Sequence, residues 1–345
     1  MQNNILNLSY PIIQAPMAGN ILTPELVATV CNSGMLGTIA AGYLSITALE
    51  EFIIEVKSLT TQQFAVNIFI EPESLTPQTL AKPQIILNLE HQVGLPLENC
   101  FIVPATVHQD EYVTLLLKHN VTIVSCTFGL FTKENMLRLK QNNVIVIANA
   151  TNLAEINAAH QHGVDAIILQ GREAGGHQAS FLNNDCNNLS SLEILKQAVN
   201  LKLDIPLIAT GGINLNNFTQ VLASGANYVQ LGTIFMLSNL SKLTPNQQEY
   251  LTKQSFNSTT LSPMPTGKWV RGVNNQLMRQ LDCYDYPFPI QHYASTKLRS
   301  FAREHEIFDF AGFWLGQHTS YTQNLTHDLL QKLITQYTLF LNTNG

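Results

Sequence analysis

The sequence has little charge, few cysteines and no long apolar run, and each absence excludes a class of protein. Only 12% of the 345 residues are charged whereas 45% are hydrophobic, which argues against a disordered or coiled-coil protein. The net charge of −6 and the lack of lysine or arginine clusters argue against a surface for nucleic acid or for an anionic membrane. We therefore expect a globular protein whose partner is a small molecule, with no nucleic-acid or membrane partner.

The five cysteines lie far apart in the chain, and no two of them form a C-x-x-C pair. This spacing indicates neither a disulfide framework nor a zinc site. The N-terminus lacks the basic and apolar regions of a signal peptide, and no segment approaches the roughly 18 to 20 apolar residues of a membrane span. From these features we expect a cytoplasmic protein without a bound metal.

The sequence also lacks the G-x-G-x-x-G pattern of open-sheet dinucleotide-binding domains. Instead, eight apolar segments alternate with helical patterns, most of them about 22 to 28 residues apart, as in a barrel of alternating strands and helices. The predicted strands lie within residues 11–19, 36–40, 64–70, 121–126, 144–149, 166–170, 206–213 and 228–233. This alternation predicts an α/β fold, the (β/α)8 TIM barrel.

Two parts of the chain depart from this alternation. Residues 238–323 predict a small helical C-terminal subdomain over the active-site face of the barrel. Residues 71–108 are rich in proline and polar side chains, and they predict an irregular insertion above the barrel. We expect the barrel domain to comprise residues 1–237 together with residues 324–345, whose apolar spacing is that of a helix packing back on the barrel.

The loop after the sixth predicted strand has a distinctive sequence, Gln170-Gly-Arg-Glu-Ala-Gly-Gly-His177. It directly follows an apolar run, so it lies where a strand ends, which is where barrel enzymes place their catalytic residues. Gly175 and Gly176 let the backbone approach a ligand closely, and His177 has a side chain that can be neutral or charged near neutral pH. For this octet alone, a glycine-rich turn followed by a surface histidine is an equal alternative.

Two further glycine loops, Gly211-Gly212 and Gly232-Thr233, follow the seventh and eighth predicted strands. In barrels these two loops commonly bind a phosphate, because backbone N–H groups and a helix N-terminus converge there. The sequence therefore predicts one phosphate site at the carboxyl ends of the strands.

Polar side chains near other strand ends suit the planar ring of a flavin. Asn67 interrupts the apolar third strand and Gln170 ends the sixth, and either amide can pair with the polar edge of an isoalloxazine. Met17 and the Gly175-Gly176 pair would lie at the same face. Together with one phosphate site, this set favours flavin mononucleotide (FMN) over a sugar phosphate. For Asn67, the alternative is an amide that hydrogen-bonds to a neighbouring loop.

Five motifs in this order resemble those of the FMN-dependent nitronate monooxygenases, formerly called 2-nitropropane dioxygenases, and the bacterial class I branch most of all. The motifs are PIIQAPMAG at 11–19, IAAGYL at 39–44, AVNIF at 65–69, QGREAGGH at 170–177 and QLGT at 230–233. The resemblance spans residues 5 to 237 and includes the whole predicted barrel.

Together with the glycine loops, the resemblance implies a set of residues that bind FMN. These are Ala15, Met17, Asn67, Gln170, Gly175, Gly176, Gly211, Gly212, Gln230, Leu231, Gly232 and Thr233. The resemblance implies that His177 is the catalytic histidine. Arg172 and the tripeptide Gln178-Ala179-Ser180 depart from the family pattern, and both departures bear on the choice of substrate.

The resemblance implies that an alkyl nitronate, such as propionate 3-nitronate, binds next to the flavin and gives it an electron. O2 would then complete the oxidation to a carbonyl compound and nitrite, a detoxification. The main alternative is an FMN-dependent enoyl-acyl carrier protein reductase, which shares the barrel and the E-A-G-G-H pattern but uses NAD(P)H. The tract Ala41–Leu44 and the insertion at 71–108 favour the monooxygenase. A flavin or sugar-phosphate sensor, the third alternative, would need no histidine in the sixth loop.

Overall fold

The computed structural model describes residues 4–70, 75–317 and 325–344. Its strands are β1 (Ile12–Gln14), β2 (Thr38–Ala40), β3 (Ala65–Phe69), β4 (Gln78–Ala81), β5 (Cys100–Val103), β6 (Ile123–Thr127), β7 (Ile145–Ala150), β8 (Ala166–Gln170), β9 (Gly176–His177), β10 (Leu207–Thr210), β11 (Tyr228–Leu231), β12 (Thr259–Ser262) and β13 (Val270–Val273). Its α-helices are α1 (Pro24–Asn32), α2 (Ile46–Leu59), α3 (Gln84–Gln92), α4 (Gln109–Lys118), α5 (Lys133–Gln141), α6 (Leu153–Gln161), α7 (Ser191–Asn200), α8 (Phe218–Ala223), α9 (Thr233–Met236), α10 (Pro245–Thr252), α11 (Gln276–Gln280), α12 (Ile290–Glu304) and α13 (Thr326–Asn344). Among the described residues, no helix is long and apolar enough to cross a membrane.

Eight strands form one parallel sheet in the order β1-β11-β10-β8-β7-β6-β3-β2. The two end strands meet at a bridge between Ile13 and Leu36, which closes the sheet into a barrel. Gln14 extends this seam, because its Oε1 accepts the N–H of Thr38 at 3.0 Å and its Nε2 donates to the Thr38 carbonyl at 3.4 Å. The predicted (β/α)8 barrel is confirmed, and all eight predicted strands belong to it.

The barrel strands are apolar on both faces because helices cover the outside and side chains fill the inside. Outward-facing side chains pack with the helices in an outer cluster that includes Val66, Val124, Val146, Ile167 and Val229. Inward-facing side chains form a separate inner cluster that includes Ile13, Leu36, Ile123, Ile168 and Ile208. The two clusters follow from the alternation of side chains along each strand.

Towards the carboxyl ends of the strands, the barrel interior becomes polar. The two-residue alternation places Asn67, Gln170 and Gln230 one layer beyond the inner apolar cluster. Asn67 is only 2% exposed, and its Nδ2 donates to Ser125 Oγ at 2.9 Å and to Thr127 Oγ1 at 3.0 Å. A barrel with this polar layer can bind a polar ring at one end and remain a packed core at the other.

Residues 238–317, the cap, cover this polar end of the barrel. The cap contains helices, as predicted, and also the antiparallel pair β12 and β13, which the sequence analysis did not predict. β13 pairs with β9 in the loop after β8, with Val270 opposite His177 and Arg271 opposite Gly176. The cap is therefore joined to the glycine-rich octet by backbone pairing.

The insertion contains β4, α3 and β5, so the expectation of an irregular stretch is wrong for these three elements, while the described residues between and beside them within 75–108 have no helix or strand. β4 and β5 form an antiparallel hairpin around α3, and residues 71–74 lie outside the described residues. Phe101 and Val103 of β5 pack with Ala294 of α12, which connects the insertion to the cap. Short strands of mixed polarity give only a weak alternation signal, and pairing with each other determines their structure.

Helix α13 packs against the outer cluster through Leu329, Leu330 and Leu333. A second apolar cluster lies mainly in the cap, with Leu251, Leu277, Leu298 and Phe313, and it extends to Leu89 of α3 and Leu237 at the end of the barrel. The division into a barrel domain, residues 1–237 with 324–345, and a subdomain stays a prediction, which these separate clusters support.

Candidate active site

His177 lies at the barrel mouth, the end of the barrel where the carboxyl ends of the strands meet the cap. Its imidazole is partly exposed and has four aromatic neighbours. The centroid distances are 5.8 Å to Phe128, 5.2 Å to Phe288, 6.4 Å to His292 and 6.4 Å to Trp314. Phe128 follows β6 and the other three belong to the cap, so the histidine lies in an aromatic recess between the two parts of the protein.

A short turn in the cap holds the imidazole. Nε2 of His177 lies 2.9 Å from Oγ1 of the fully buried Thr266, and the same oxygen donates to the Lys268 carbonyl at 2.9 Å. Gly267, between Thr266 and Lys268, has a φ of +80°, and a Cβ there would lie 2.5 Å from the backbone nitrogen of Phe288. Only glycine fits this turn, because its conformation is left-handed and its contact with the neighbouring backbone is close.

Lys268 brings a positive charge close to His177. Its Nζ donates to the Ser180 carbonyl at 2.9 Å and lies 5.0 Å from the centre of the Phe128 ring. Burial lowers the pKa of Lys268 to about 8, and the negative charge of Glu155 partly opposes that shift. Lys268 is therefore mostly protonated at neutral pH.

Arg299 of α12 provides a second cation, which is partly buried. Its guanidinium donates to the His292 carbonyl at 2.9 Å, to Thr296 Oγ1 at 3.1 Å and to Ser295 Oγ at 3.1 Å. It also lies 5.6 Å from the centre of the Trp314 ring. Burial lowers the pKa of Arg299 to about 10, so the group stays charged at neutral pH.

Both imidazoles at the barrel mouth are neutral. The pKa of His177 is lowered to about 3, mainly by burial and to a smaller extent by the positive charges of Lys268 and Arg299. Burial and the charge of Arg299 also hold the pKa of His292 well below its usual range. The His292 ring stacks on Tyr43 at a centroid distance of 4.3 Å and an angle of 10°. The positive charge at the site therefore comes from Lys268 and Arg299.

The predicted phosphate loops lie side by side with the octet. Gly211 and Gly212 have φ values of +109° and +66°, a conformation that favours glycine. A Cβ on Gly212 would lie 2.9 Å from the Cβ of Glu173. The Glu173 carboxylate accepts the Ser191 N–H at 3.0 Å, at the start of α7, so this helix N-terminus binds the negative charge of Glu173.

The end of the cap connects the glycine loops to each other. The Gly316 N–H donates to Thr233 Oγ1 at 3.2 Å, and the Gln317 N–H donates to the Glu173 carbonyl at 2.8 Å. A Cβ on Gly175 would lie 2.4 Å from the Trp314 carbonyl oxygen. Glycine at position 175 is thus required by the approach of the cap, a reason that the sequence alone does not reveal.

Two of the predicted cofactor glycines border open space. A Cβ on Gly176 would meet no heavy atom within 4 Å, and one on Gly232 would meet only the Ala15 side chain, at 3.7 Å. Gly176 has a φ of +82°. A ligand can therefore approach the backbone closely at Gly176, and also at Gly232 beside Ala15.

The two predicted amides have different amounts of hydrogen-bonding capacity left. Gln170 donates from Nε2 to the His177 carbonyl at 3.0 Å and accepts the Ala179 N–H at 2.8 Å, so it holds the octet loop and keeps one Nε2 hydrogen. Asn67 has both Nδ2 hydrogens on β6 residues and keeps Oδ1 as an acceptor. Its neighbours are on a strand and not on a loop.

Three other predicted cofactor residues lie at different depths. Met17 packs between the outer cluster and the cap cluster, at the rim of the barrel. Gln230 is 6% exposed, and its carbonyl accepts the Thr210 hydroxyl at 2.9 Å. Leu231 is 1% exposed and belongs to the outer cluster, so only its backbone is placed to contact a ligand inside the barrel.

The sequence analysis missed the residues that the cap contributes: Thr266, Lys268, His292, Arg299 and Trp314. Their sequence neighbourhood has no periodic pattern that would place them at the barrel mouth. The scarcity of charge could have served as a signal. Only 12% of the residues are charged, so a lysine or an arginine close in sequence to aromatic residues is a candidate for a buried cation.

A cavity of about 620 Å³ lies away from the barrel mouth, between β5 and α12. Its lining includes Cys100, Phe101 and Tyr293 but none of the predicted cofactor residues and not His177. Within the described part of the chain, no group of three His, Cys, Asp or Glu side chains could hold a metal ion. The candidate site is the barrel mouth, because the predicted histidine, two cations and the predicted glycine loops lie there.

Comparison with known proteins gives a consistent picture. Residues 2–336 match the family model of nitronate monooxygenase. A probable nitronate monooxygenase of Staphylococcus aureus (strain Newman) is 35% identical over 323 residues, which cover 91% of this chain and 90% of the relative. The solved structure of a nitroalkane oxidase from Streptomyces ansochromogenes is 28% identical, with a TM-score of 0.83, and the match covers 98% and 99% of the two chains. FabK from Thermotoga maritima, 22% identical with a TM-score of 0.71 and coverage of 98% and 97%, shares the fold.

Proposed function

Because this chain belongs to the nitronate monooxygenase family, a family of flavin-dependent oxidoreductases, we propose that it uses FMN and O2 to oxidise alkyl nitronates such as propionate 3-nitronate. The products are a carbonyl compound and nitrite, and the reaction is a detoxification because it consumes a reactive anion. The observation that carries this proposal is the placement of Lys268 and Arg299 against two of the rings that surround His177, those of Phe128 and Trp314.

The glycine loops would hold the FMN phosphate. Gly232 borders open space where a phosphate can approach the backbone, whereas Gly211 and Gly212 pack against the octet and give their loop its left-handed backbone beside that space. The rest of the cofactor would then lie near Ala15 and Gly176, and Gly176 directly precedes His177 in the chain. When bound there, FMN supplies the electron acceptor for the oxidation.

The two amides would recognise the polar edge of the flavin ring. That edge presents one N–H between two carbonyl oxygens. The protein therefore needs a hydrogen-bond acceptor for the N–H and a donor for a carbonyl oxygen beside it. Asn67 Oδ1 is the acceptor and the remaining Nε2 hydrogen of Gln170 is the donor. Met17 and the backbone at Gln230 and Leu231 complete the cofactor site at the rim of the barrel.

The substrate end of the site favours an anion. Lys268 is buried and Arg299 is partly buried, and a buried positive charge attracts an anion more strongly than an exposed charge does. The rings of Phe128, Phe288 and Trp314 exclude water from the neighbouring space. A nitronate combines a delocalised negative charge with an alkyl group, and these two features match the cations and the rings.

An oxygen-uptake assay tests the proposal. The flavin-loaded protein is mixed with an alkyl nitronate, with and without NADPH, and O2 consumption and nitrite are measured together. We expect O2 uptake and nitrite release that do not require NADPH. NADPH oxidation with an enoyl thioester, together with no reaction of the nitronate, would assign the chain to the enoyl-acyl carrier protein reductases instead.

A further inference from the structure

The direction of the hydrogen bond between His177 and Thr266 is decided by the atoms around it. Oγ1 of Thr266 lies 2.9 Å from Nε2 of His177 and 2.9 Å from the carbonyl oxygen of Lys268. A carbonyl oxygen can only accept, so the hydroxyl proton is committed to Lys268 and Oγ1 accepts a hydrogen from Nε2. The neutral ring is then the Nε2–H tautomer, and its lone pair is on Nδ1.

The turn around Thr266 keeps the hydroxyl in this position. Thr266 is completely buried, and its backbone N–H donates to the Pro263 carbonyl at 3.3 Å. Gly267 packs against the backbone at residues 286–288, where a Cβ would lie 2.5 to 2.9 Å from three backbone atoms. The hydroxyl and its carbonyl partner therefore belong to one closely packed turn.

Nδ1 is the ring nitrogen that is available to a ligand. Within residues 4–70, 75–317 and 325–344, the one hydrogen bond of the His177 ring is the bond from Nε2. Of the titratable groups that face the ring from the cap, Lys268 and Arg299 are positively charged and favour the neutral form of His177, whereas His292 is itself neutral. A neutral imidazole with a free lone pair can accept a proton.

On the premise of the proposed function, we infer that Thr266 is a positioning residue that directs proton transfer from a neutral nitroalkane to Nδ1 of His177. In this step the carbon–hydrogen bond breaks and the proton goes to Nδ1. The electron pair of that bond becomes the carbon–nitrogen double bond of the nitronate, while a nitro N=O pair moves to oxygen. Nε2 keeps its hydrogen on Thr266 throughout. A nitronate supplied as the anion needs no such transfer.

A pair of variants separates this role from a merely structural one. Thr266→Val has nearly the same shape but no hydroxyl, whereas Thr266→Ser keeps the hydroxyl. We expect Thr266→Val to lower kcat/KM on a nitroalkane about 10²-fold, the smaller end of the contribution of a positioned base, with little change on the matching nitronate. Thr266→Ser should restore the nitroalkane rate, and all three proteins should keep their flavin.

Equal losses on both substrates, or no loss on either, would overturn the role of Thr266. A wild-type protein that oxidises the nitronate but not the nitroalkane would overturn the proton transfer and leave the proposed function standing. A wild-type protein that oxidises neither compound would remove the proposed function itself.

Nitrogen NMR of protein labelled on its histidine rings tests the tautomer without an activity assay. The chain has ten histidines, and His177→Asn identifies the signals of His177 by their loss. We expect a protonated Nε2 and an unprotonated Nδ1 in the wild type and in Thr266→Ser. In Thr266→Val the preference for the Nε2–H tautomer should be smaller. A protonated Nδ1 in the wild type would overturn the inference whatever the kinetics show.

Discussion

The ammonium group of Lys268 lies 5.0 Å from the centre of the Phe128 ring, within the range at which a cation and an aromatic face attract each other. Phe128 follows barrel strand β6 and has a φ of +71°, whereas Lys268 belongs to the cap. The contact thus places a cap residue over the barrel mouth, beside His177. The charge of Lys268 is therefore part of the site only when the cap is in place.

We predict that Lys268→Met lowers kcat/KM on an alkyl nitronate roughly tenfold or more, the size expected from losing an interaction with a charged group of about 1.5–3 kcal/mol. Methionine keeps the apolar stem next to Phe128 but removes the charge. Lys297→Met is the matched control, because Lys297 lies on the outside of α12 and pairs with Glu98. Steady-state kinetics of both variants provide the test, and equal rates for Lys268→Met and the control would contradict it.

The lowered pKa of Lys268 should make kcat/KM on a nitronate depend on pH. Burial lowers the pKa of Lys268 to about 8, so the group is charged below that pH and neutral above it. After correction for the ionisation of the substrate, kcat/KM on a nitronate should fall as the pH rises through about 8. The fall should be absent in Lys268→Met. A decline of equal size in that variant would assign the titration to another group.

His177 should not titrate in the neutral range. Its pKa is lowered to about 3, so the ring is neutral at every pH well above that value. We predict no change in rate near pH 6.5, the usual pKa of histidine, on either a nitronate or a nitroalkane. His177→Asn should keep the flavin and lose most turnover on nitroalkanes, by about 10²–10⁴-fold. If the wild-type rate fell as the pH rose through the usual histidine pKa, and the rate of His177→Asn did not, the ring would act as a cation.

Much of the barrel could be predicted from the sequence because its signals are local. Apolar strands, helical spacing and glycine exits each occupy a few consecutive residues, and both Asn67 and the octet are positioned by their own strands. The prediction of a phosphate site rests on the rule that strand ends of a barrel meet at one face, and the structure places those loops beside the octet.

The contribution of the cap could not be predicted because it depends on contacts between distant residues. Thr266 reaches His177 across 89 positions of sequence, and Gln317 reaches Glu173 through a backbone bond that leaves no pattern of residue types. The amide of Gln170 is predicted to bind the flavin, and no local pattern indicated that it also holds the octet loop through two hydrogen bonds. Such roles are determined by tertiary packing and not by local sequence preference.

We predict that Gly212→Asp abolishes retention of the flavin. The position has a φ of +66° and lies against Glu173, and a carboxylate there would also repel a phosphate. Gly163→Asp is the matched control, because Gly163 has a φ of +85° and a Cβ there would meet no atom within 4 Å. It should keep the flavin, with a loss of roughly 1–2 kcal/mol in stability from the left-handed backbone. Flavin released by heat denaturation is measured for both proteins, and a yellow Gly212→Asp variant would contradict the phosphate assignment.

The insertion depends on the ion pair between Lys82 and Glu90, whose side chains are 1% and 0% exposed and whose charged atoms lie 2.8 Å apart. We predict that Lys82→Met lowers the free energy of unfolding by about 3–5 kcal/mol, because Glu90 is then buried without a partner. Burial raises the pKa of Glu90, so the defect should shrink as the pH falls and the carboxyl group becomes neutral. Urea unfolding at two pH values tests this, with Lys82→Met/Glu90→Leu as the control that should recover stability.

The source of the electrons is the central claim, and anaerobic mixing tests it most directly. The flavin-loaded protein is combined without O2 with an alkyl nitronate in one experiment and with NADPH in another, and the yellow absorbance of the flavin is followed. The account predicts rapid bleaching by the nitronate, no bleaching by NADPH, and return of the colour when O2 is admitted. Bleaching by NADPH together with an unchanged spectrum in the presence of nitronate would contradict it.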